Sequence, residues 1–233
     1  MTQPEPQKSM TAQEVVYASV RKMLMNGDLA CGQRLIVRDL AESFGTSTMP
    51  VREALRRLVA ENALEDSANR GVIVPEITME AVTDLTRIRC VIEGQAVEWA
   101  AATISGRELA ECVRKNDAMQ IQTEKRSHVS YLHLNREFHF DIYRAARSPA
   151  LMQIIDRLWL RAGPWLTIKR QDDDEPFFGV EYHLDLLTAL HAGDGAAARQ
   201  ALVADIAVAG GNILRWVESR RETLARGAKE GAE

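Results

Sequence analysis

The sequence predicts a mostly α-helical protein, in which a winged helix-turn-helix is followed by an all-α bundle of about six or seven helices. The segment from Leu40 to Gly71 reads as a helix, a tight turn, a second helix and a hairpin. From Met79 onward, apolar residues recur at helical spacing with only short interruptions. The chain has 233 residues, 46% of them apolar, and is therefore long enough for two modest domains.

The first helix is predicted to begin after Thr11 and to end at Asn26-Gly27. Thr11 and Glu14 have the spacing of a capping box, in which each side chain binds the backbone N–H of the other residue. The first ten residues are polar and lack the apolar core of a signal peptide, so residues 1–10 are predicted to be a disordered tail.

The central turn and the helix after it form the helix-turn-helix. Gly45 readily adopts the left-handed conformation that a sharp bend needs, and the Ser and Thr that follow it can cap the next helix. Pro50 falls in the first turn of that helix, where its missing N–H costs nothing. Arg52, Arg56 and Arg57 point away from the apolar face, which is formed by Val51, Ala54, Leu55, Leu58 and Val59.

A hairpin is predicted beyond this helix. Leu64 and the run Val72-Ile73-Val74 flank a turn at Asn69-Arg70-Gly71, and Pro75 ends the second strand. Three helices and a small hairpin make a winged helix-turn-helix, and an arginine-bearing second helix suits the major groove of DNA.

The run from Gly32 to Val74 resembles the DNA-binding domain of GntR-type bacterial transcription regulators. The family pattern, leucine-alanine followed by valine-serine-arginine-threonine-proline-valine-arginine-glutamate-alanine-leucine, matches from Leu40 to Leu55 with two changes. Thr48 replaces an arginine, and Met49 replaces a threonine. The resemblance implies that the residues in contact with DNA are Arg38, Ser47, Thr48, Met49, Arg52, Arg70 and Gly71.

These residue types suit different parts of a duplex. Arg52 can contact a guanine edge with two hydrogen bonds, whereas Ser47, Thr48 and the N–H groups at the helix start suit phosphates. Because Thr48 cannot replace an arginine fork, we expect base discrimination to fall by roughly 1–3 kcal/mol for a lost bidentate pair. Residues 11–75 carry eight Lys/Arg and eight Asp/Glu, so binding must rely on local clustering or on two copies. The alternative is that these arginines form only a solvated helix face.

Composition and residue pattern predict the domain ranges and the cellular compartment of the protein. We predict a DNA-binding domain at 11–75, a linker at 76–78, a helical effector-binding and dimerisation domain at 79–226, and a tail at 227–233. The net charge of −4 arises after residue 75, so the second half is not expected to touch DNA. Cys31, Cys90 and Cys112 show no paired spacing and are predicted to be reduced cytosolic thiols or core residues. No apolar run approaches membrane-spanning length, and we expect a cytoplasmic protein with no membrane partner.

The second half resembles the FCD effector domain of the FadR-like branch of the same family, over most of Met79 to about Val217. The resemblance depends on Arg89 with Glu93, the segment Asn135 to His139, Ser148-Pro149-Ala150-Leu151, and His183 through Asp205. Breaks in the helical pattern are predicted at Ser105-Gly106, 124–127, Ser148-Pro149, Gly163-Pro164, 172–176 and 192–195.

Four polar residues are predicted to converge inside the bundle. Asn135 and His139 are four apart and therefore share one helix face. His183 lies ten residues before Gly193 and Asp205 twelve after it, so a helical hairpin that bends at Gly193 places these two side by side. These residues can bind a metal, and without metal the same groups can hydrogen-bond a small effector directly.

The resemblance implies that a metal sits at this place, held by one Asp and three His. This chain has Asn135 where the family has Asp, and Asp205 where it has the last His. The predicted ligands are therefore Asn135, His139, His183 and Asp205, and the ion is zinc, nickel or manganese.

The effector is expected to bind beside these ligands. The resemblance places Arg89 nearby, where its planar fork would bind a small carboxylate effector together with Asn135, His139 and His183. The alternative for Arg89 is a salt bridge to Glu93. Trp159 and Trp165 are candidates for the pocket wall, or else ordinary core.

The predicted function is that of a ligand-responsive transcriptional regulator, not an enzyme. It binds a palindromic operator as a homodimer, and repression is the commoner mode in the family. A metal-dependent hydrolase that uses the His/Asp cluster is one alternative. A DNA-binding architectural protein that senses nothing is the other.

Overall fold

The computed structural model describes residues 10–68, 70–165 and 180–230. The predicted tail residues 1–9, the turn residue Asn69 and the predicted break at 172–176 lie outside the described residues. The elements in chain order are α1 Ala12–Asn26, α2 Val37–Ser43, α3 Thr48–Ala60, β1 Glu65–Ser67, β2 Gly71–Ile73, α4 Met79–Ala101, α5 Gly106–Glu124, α6 His128–Ala145, α7 Pro149–Ala162, α8 Val180–Ala192 and α9 Gly195–Glu230.

Helix α1 has the predicted ends. The backbone N–H of Glu14 donates to the Thr11 hydroxyl at 3.2 Å, and the Thr11 N–H donates to the Glu14 carboxylate at 2.7 Å, which completes the capping box. Gly27 ends the helix with a left-handed φ of 71°. The buried face of α1 packs against α3 and so begins the core of the N-terminal domain.

The helix-turn-helix is also confirmed. Gly45 has a φ of 60°, and α3 begins three residues later with Pro50 in its first turn. The apolar face of α3 is buried as predicted at Val51, Ala54, Leu55 and Leu58. Ser47 stands at the N-cap, but its side chain makes no capping hydrogen bond, so the expected cap is absent.

The wing is a short antiparallel hairpin. Strand β1 pairs with β2 in a register that sets Glu65 opposite Ile73 and Ser67 opposite Gly71. Gly71 has a φ of 70°, a conformation that L residues rarely adopt. Arg34 forms an isolated bridge to Ile73 and so ties the hairpin to the chain before α2.

The second domain is helical throughout its described part. Helices α4 and α9 run antiparallel along each other and approach so closely that a Cβ on Gly210 would lie 2.6 Å from the Thr86 hydroxyl. Helix α5 packs on α6, and α8 packs on α9 across the turn at Gly193. Helix α9 continues to Glu230, four residues beyond the predicted domain end at residue 226.

The two domains share an interface, because α1 also contacts α6 and α7. Buried residues of α1, α6 and α7 belong to one continuous apolar core. None of the helices in the described ranges is long and apolar enough to span a lipid bilayer.

Candidate functional site

Five of the predicted DNA-binding residues lie on α2 or at the start of α3. Arg38 is on α2, and Ser47, Thr48, Met49 and Arg52 are at the start of α3. All five are exposed, and Met49 has 63% of its surface accessible, which is unusual for a large apolar side chain. The start of α3 therefore presents hydroxyl, methyl and guanidinium groups to solvent, as a helix that reads DNA requires.

The arginines of α3 fall into two groups. Arg57 donates to Glu61 at 3.2 Å and lies over the Tyr17 ring at 3.8 Å, and Arg56 donates to Glu53 at 2.7 Å. Arg52 has no hydrogen bond or ion pair within the part of the chain that the structure describes. Arg52 is thus the guanidinium of α3 that is available to a base edge.

The other two predicted DNA-binding residues, Arg70 and Gly71, belong to the wing hairpin. Arg70 is exposed and pairs with Glu76 at 2.9 Å, so it must exchange this partner to bind a phosphate. Gly71 is half-buried at the first position of β2. Their role in DNA contact stays a prediction.

Three helices bring His139, His183 and Asp205 together inside the helical domain. Nε2 of His139 lies 3.5 Å from Oδ2 of Asp205, and Nε2 of His183 lies 4.0 Å from the same oxygen. The turn at Gly193, with a φ of 70°, folds α8 and α9 side by side as the spacing predicted. One ligand atom from each of the three residues lies within 4.8 Å of the other two.

Both histidines are buried in the neutral form. Burial lowers the pKa of His183 to about 3. The pKa of His139 is also lowered well below its usual value, first by burial and then by the nearby His183 and Arg89. Neutral imidazoles have a lone pair to offer, so both residues are ready to bind a cation at physiological pH.

Several nitrogens of this cluster lack a partner. Neither ring nitrogen of His183 makes a hydrogen bond in the described structure, nor does Nδ1 of His139. Buried polar atoms nearly always have a hydrogen-bond partner, so these three nitrogens without one indicate a ligand site. The residues fit a divalent ion, because imidazole nitrogen and carboxylate oxygen are both zinc ligands, and the distances of 3.5 Å and 4.0 Å from the two histidines to Asp205 are within the roughly 4.2 Å that can separate two ligands of one ion.

Asn135 lies at the edge of the cluster. It is half-buried one turn before His139, and together with His139 and Asp205 it lines a cavity of about 50 Å³. Arg89 and Trp159 also line this cavity, which is completed by Tyr131, Leu132, Ala162, Ile206 and Ala209. The space suffices for an ion with one or two waters.

Arg89 is held in an ion pair. Its Nε and Nη2 donate to the Glu93 carboxylate at 2.7 Å and 3.2 Å, which is the alternative that the sequence left open. Burial lowers the pKa of Arg89, but nearby acidic groups, first of all the adjacent Glu93 carboxylate, raise it by more. The pKa of Arg89 is therefore raised overall. The ion pair does not use Nη1 of Arg89.

Sequence reasoning missed the partners of Glu93. Tyr143 donates to its carboxylate at 2.6 Å and Trp159 Nε1 donates at 3.1 Å. The spacing of Arg89 and Glu93 indicated their pairing, but no sequence signal connected either residue to Tyr143. Trp165 does not line the cavity; it packs with Val82, Leu85, Ala162, Ile213 and Val217.

Comparison with known proteins agrees with this architecture. The model of the gntR family of bacterial regulatory proteins matches residues 12–74, and that of the FCD domain matches residues 84–207. The chain is 36% identical over 197 residues to the HTH-type transcriptional regulator McbR of Escherichia coli K12, covering 83% of this chain and 88% of the relative.

Solved structures show the same fold. E. coli McbR/YncC superposes with a TM-score of 0.81 at 32% identity, covering 91% of this chain and 99% of that one. A GntR structure from Rhodococcus sp. RHA1 gives a TM-score of 0.72 at 24% identity, covering 88% and 98%. The chain therefore belongs to the gntR family of bacterial transcriptional regulators, and it has the FCD domain that binds effectors.

Proposed function

We propose that this regulator binds a palindromic operator as a homodimer and responds to a divalent metal, a small carboxylate, or both, in the cavity beside His139. The observation that carries the proposal is the pair of buried, neutral histidines that face a carboxylate and of whose four ring nitrogens three lack a partner in the described structure. An ion such as zinc, nickel or manganese would supply positive charge that can attract and orient an acid. His139, His183 and Asp205 would hold it, with the Asn135 carbonyl as a weaker fourth ligand.

The size of the cavity limits what binds. About 50 Å³ accommodates an ion and its water, and a carboxylate group would take the place of that water. Arg89 lines the same cavity, so Nη1 would add a hydrogen bond to the acid while Nε and Nη2 keep Glu93 in place. A larger acid requires the helices around the cavity to separate, which would couple binding to a change of shape.

On the DNA side, Arg52 would contact base edges while Ser47, Thr48 and the free N–H groups at the start of α3 contact phosphates. Met49 suits a thymine methyl group. A twofold dimer presents two such helices and therefore selects a DNA site with twofold symmetry. Repression and a cytoplasmic location complete the proposal, since they are usual for a bacterial regulator of this kind.

Two measurements on the purified protein test this proposal. Selection from fragmented genomic DNA should enrich fragments that share one inverted repeat, bound by two chains per site. A thermal-shift series with zinc, nickel or manganese ions, each with and without a panel of mono-, di- and tricarboxylic acids, should raise the melting temperature. A protein that selects an operator but that no ion or acid stabilises would be a non-sensing architectural protein, contrary to our proposal.

The metal-dependent hydrolase is not supported. The family and the relatives of this chain are transcriptional regulators.

A further inference from the structure

Helix α5 carries a buried amide that belongs to neither the cavity nor the Glu93 cluster. Asn116 has 1% of its surface exposed and lies on the inner face of α5, with Cys112 and Met119. Neither its amide nitrogen nor its amide oxygen has a hydrogen-bond partner in the part of the chain that the structure describes. An amide buried in this way costs stability, so its presence needs a reason other than the packing of the core.

The packing of α5 on α6 sets Asn116 at the level of Phe138. Nζ of Lys115 lies 2.6 Å from the carboxylate of Asp141 and 3.5 Å from that of Glu137, so Lys115 stands opposite the turn of α6 between these two residues. Phe138 belongs to that turn and is fully buried. Because Asn116 follows Lys115 directly and faces inward, it is placed in the core beside the turn that holds Phe138.

The packing of α5 on α8 sets the same amide at the level of His183. The turn at Gly193, just after the end of α8, lies against the end of α4, since a Cβ on Gly193 would be 3.9 Å from the carbonyl oxygen of Ala101. Helix α5 begins at Gly106, so α5 runs away from this end of the bundle while α8 runs toward it. Asn116 lies ten residues after Gly106, and His183 lies ten residues before Gly193. At the same rise per residue, the two side chains are at about the same height.

The ring of His183 has one nitrogen on each side of this arrangement. Its centre lies 4.4 Å from that of the Phe138 ring, which confirms that α6 and α8 meet at this height. Nε2 lies 4.0 Å from Oδ2 of Asp205, on the side of the proposed ion. The two nitrogens of an imidazole point in divergent directions, so Nδ1 is directed away from Asp205. Nδ1 has no partner in the described structure, and the Asn116 amide at the same height has none either.

We propose that Asn116 is a positioning residue for His183. Its amide oxygen accepts the Nδ1–H of the imidazole, directly after a rotation of the amide or through one shared water, and thereby leaves the Nε2 lone pair for the ion. This inference rests on the proposed binding of a metal by His139, His183 and Asp205. A neutral imidazole carries one ring proton, and Nε2 can bind an ion only when that proton is on Nδ1. Acceptors behind a ligating histidine fix its tautomer and its orientation in this way.

The first experiment measures the zinc affinity of the full-length protein by competition with a chromophoric chelator. Asn116→Leu removes the acceptor at similar side-chain size, and it should weaken zinc binding about 10- to 100-fold. Asn116→Asp keeps an oxygen acceptor, so its zinc affinity should be closer to that of the wild type than to that of Asn116→Leu. Gln120→Leu is the control, because Gln120 is an exposed amide one turn further along α5. Equal zinc affinities of Asn116→Leu and Gln120→Leu would show that the proposal is wrong.

Thermal denaturation in a chelator distinguishes positioning from support of the fold. Replacing a residue that only supports the fold lowers the melting temperature of the metal-free protein. Asn116→Leu should instead leave this temperature unchanged or raise it, because the variant removes a buried amide without partners. If zinc affinity and metal-free stability fall together, Asn116 supports the fold and does not position His183. Asn116→Val, a smaller apolar replacement, takes the place of Asn116→Leu should that variant fail to fold.

The second experiment reports the tautomer of His183 without any metal. Nitrogen NMR of the imidazole rings, with the His183 signals assigned from His183→Ala, gives the share of the ring proton on Nδ1. This share should be larger in the wild type than in Asn116→Leu, and identical shares in the two proteins refute the proposal. A wild-type protein that binds no zinc refutes the proposed metal site instead. In that event the tautomer still decides whether Asn116 accepts a hydrogen bond from His183.

Discussion

Two buried polar clusters lie next to each other in the helical domain, and they differ in how their atoms are satisfied. The carboxylate of the fully buried Glu93 receives hydrogen bonds from Nε and Nη2 of Arg89, from the Tyr143 hydroxyl and from the Trp159 indole. In the second cluster, His183 is equally buried and neither of its nitrogens has a partner in the described structure. The ring of His139 lies 6.0 Å from that of Trp159, so the clusters nearly touch.

This difference distinguishes a cluster that can only stabilise the fold from one that is still able to bind a ligand. A buried charge that four donors satisfy has nothing left to offer a ligand, and removing it costs stability. Buried nitrogens without partners cost stability as they stand, and they are retained where an ion or ligand satisfies them. In our proposal, Glu93 and Tyr143 therefore support the site, whereas His139, His183 and Asp205 bind the ion.

The strongest test of this contrast is Glu93→Gln. It leaves the guanidinium of Arg89 buried without its countercharge, so we expect a loss of about 3–5 kcal/mol in the free energy of unfolding. Urea denaturation would measure it. Glu98→Gln is the control, because Glu98 pairs with Arg199 at a site where both side chains are 39% exposed, and it should cost less than about 1 kcal/mol. Similar losses in the two variants would contradict the structural role of Glu93.

Zinc should stabilise the folded protein by binding to the cluster of His139, His183 and Asp205. At a free concentration of 100 times its Kd, an ion that binds only the folded protein stabilises it by about 2.7 kcal/mol. We expect this increment, measured by denaturation with zinc and with a chelator, to disappear in His183→Ala. It should remain in His191→Ala, which changes an exposed residue of the same helix. An increment that survives His183→Ala would place the ion elsewhere.

The same criterion, whether a polar group already has a partner in the described structure, distinguishes Arg52 from Arg57 on α3. Arg52→Ala should lower discrimination between operator and random duplex by roughly 1–3 kcal/mol and leave stability nearly unchanged. Arg57→Ala should do the reverse, with a stability loss of up to about 1 kcal/mol, because Arg57 contacts Glu61 and Tyr17. Fluorescence anisotropy with labelled duplexes and thermal denaturation of both variants would measure these effects. Equal DNA affinities of the two variants would remove Arg52 from base recognition.

The smallest expected effect is a dependence of metal-free stability on pH. His183 has a pKa of about 3 in the folded protein and of roughly 6.5 in the unfolded chain. Between these two pH values, only the unfolded chain takes up the proton. Stability is complete above pH 6.5 and falls by about 1.4 kcal/mol per pH unit below it for this residue. Denaturation in chelator at pH 7.5 and 5.5 should show a shallower loss in His183→Leu than in wild type. An identical loss in both proteins would mean that His183 is not held neutral.

The elements that could be predicted from the sequence are those with local causes. The capping box at Thr11 with Glu14 and the left-handed Gly27 and Gly45 depend on residues within a few positions of each other. The meeting of His183 with Asp205 was also predictable, because a single turn at Gly193 fixes the register of two consecutive helices.

Other features depend on packing between distant helices. Tyr143 and Trp159 lie 50 and 66 residues from Glu93, and no local pattern indicates that they donate to it. The missing side-chain cap at Ser47 and the position of Trp165 away from the cavity are equally results of tertiary context.

The amino-acid sequence by itself determined the two-domain plan, the helix that carries Arg52, and the identity of the polar residues that converge, because periodicity, caps and turns act over short stretches of chain. Only the tertiary structure decided which of those polar atoms are satisfied. Hydrogen bonding inside a core depends on which helices meet and at what distance. For that reason Glu93 has hydrogen-bond partners and His183 has none in the described structure. The close approach of Gly163 to the backbone of α1 likewise results from helix packing.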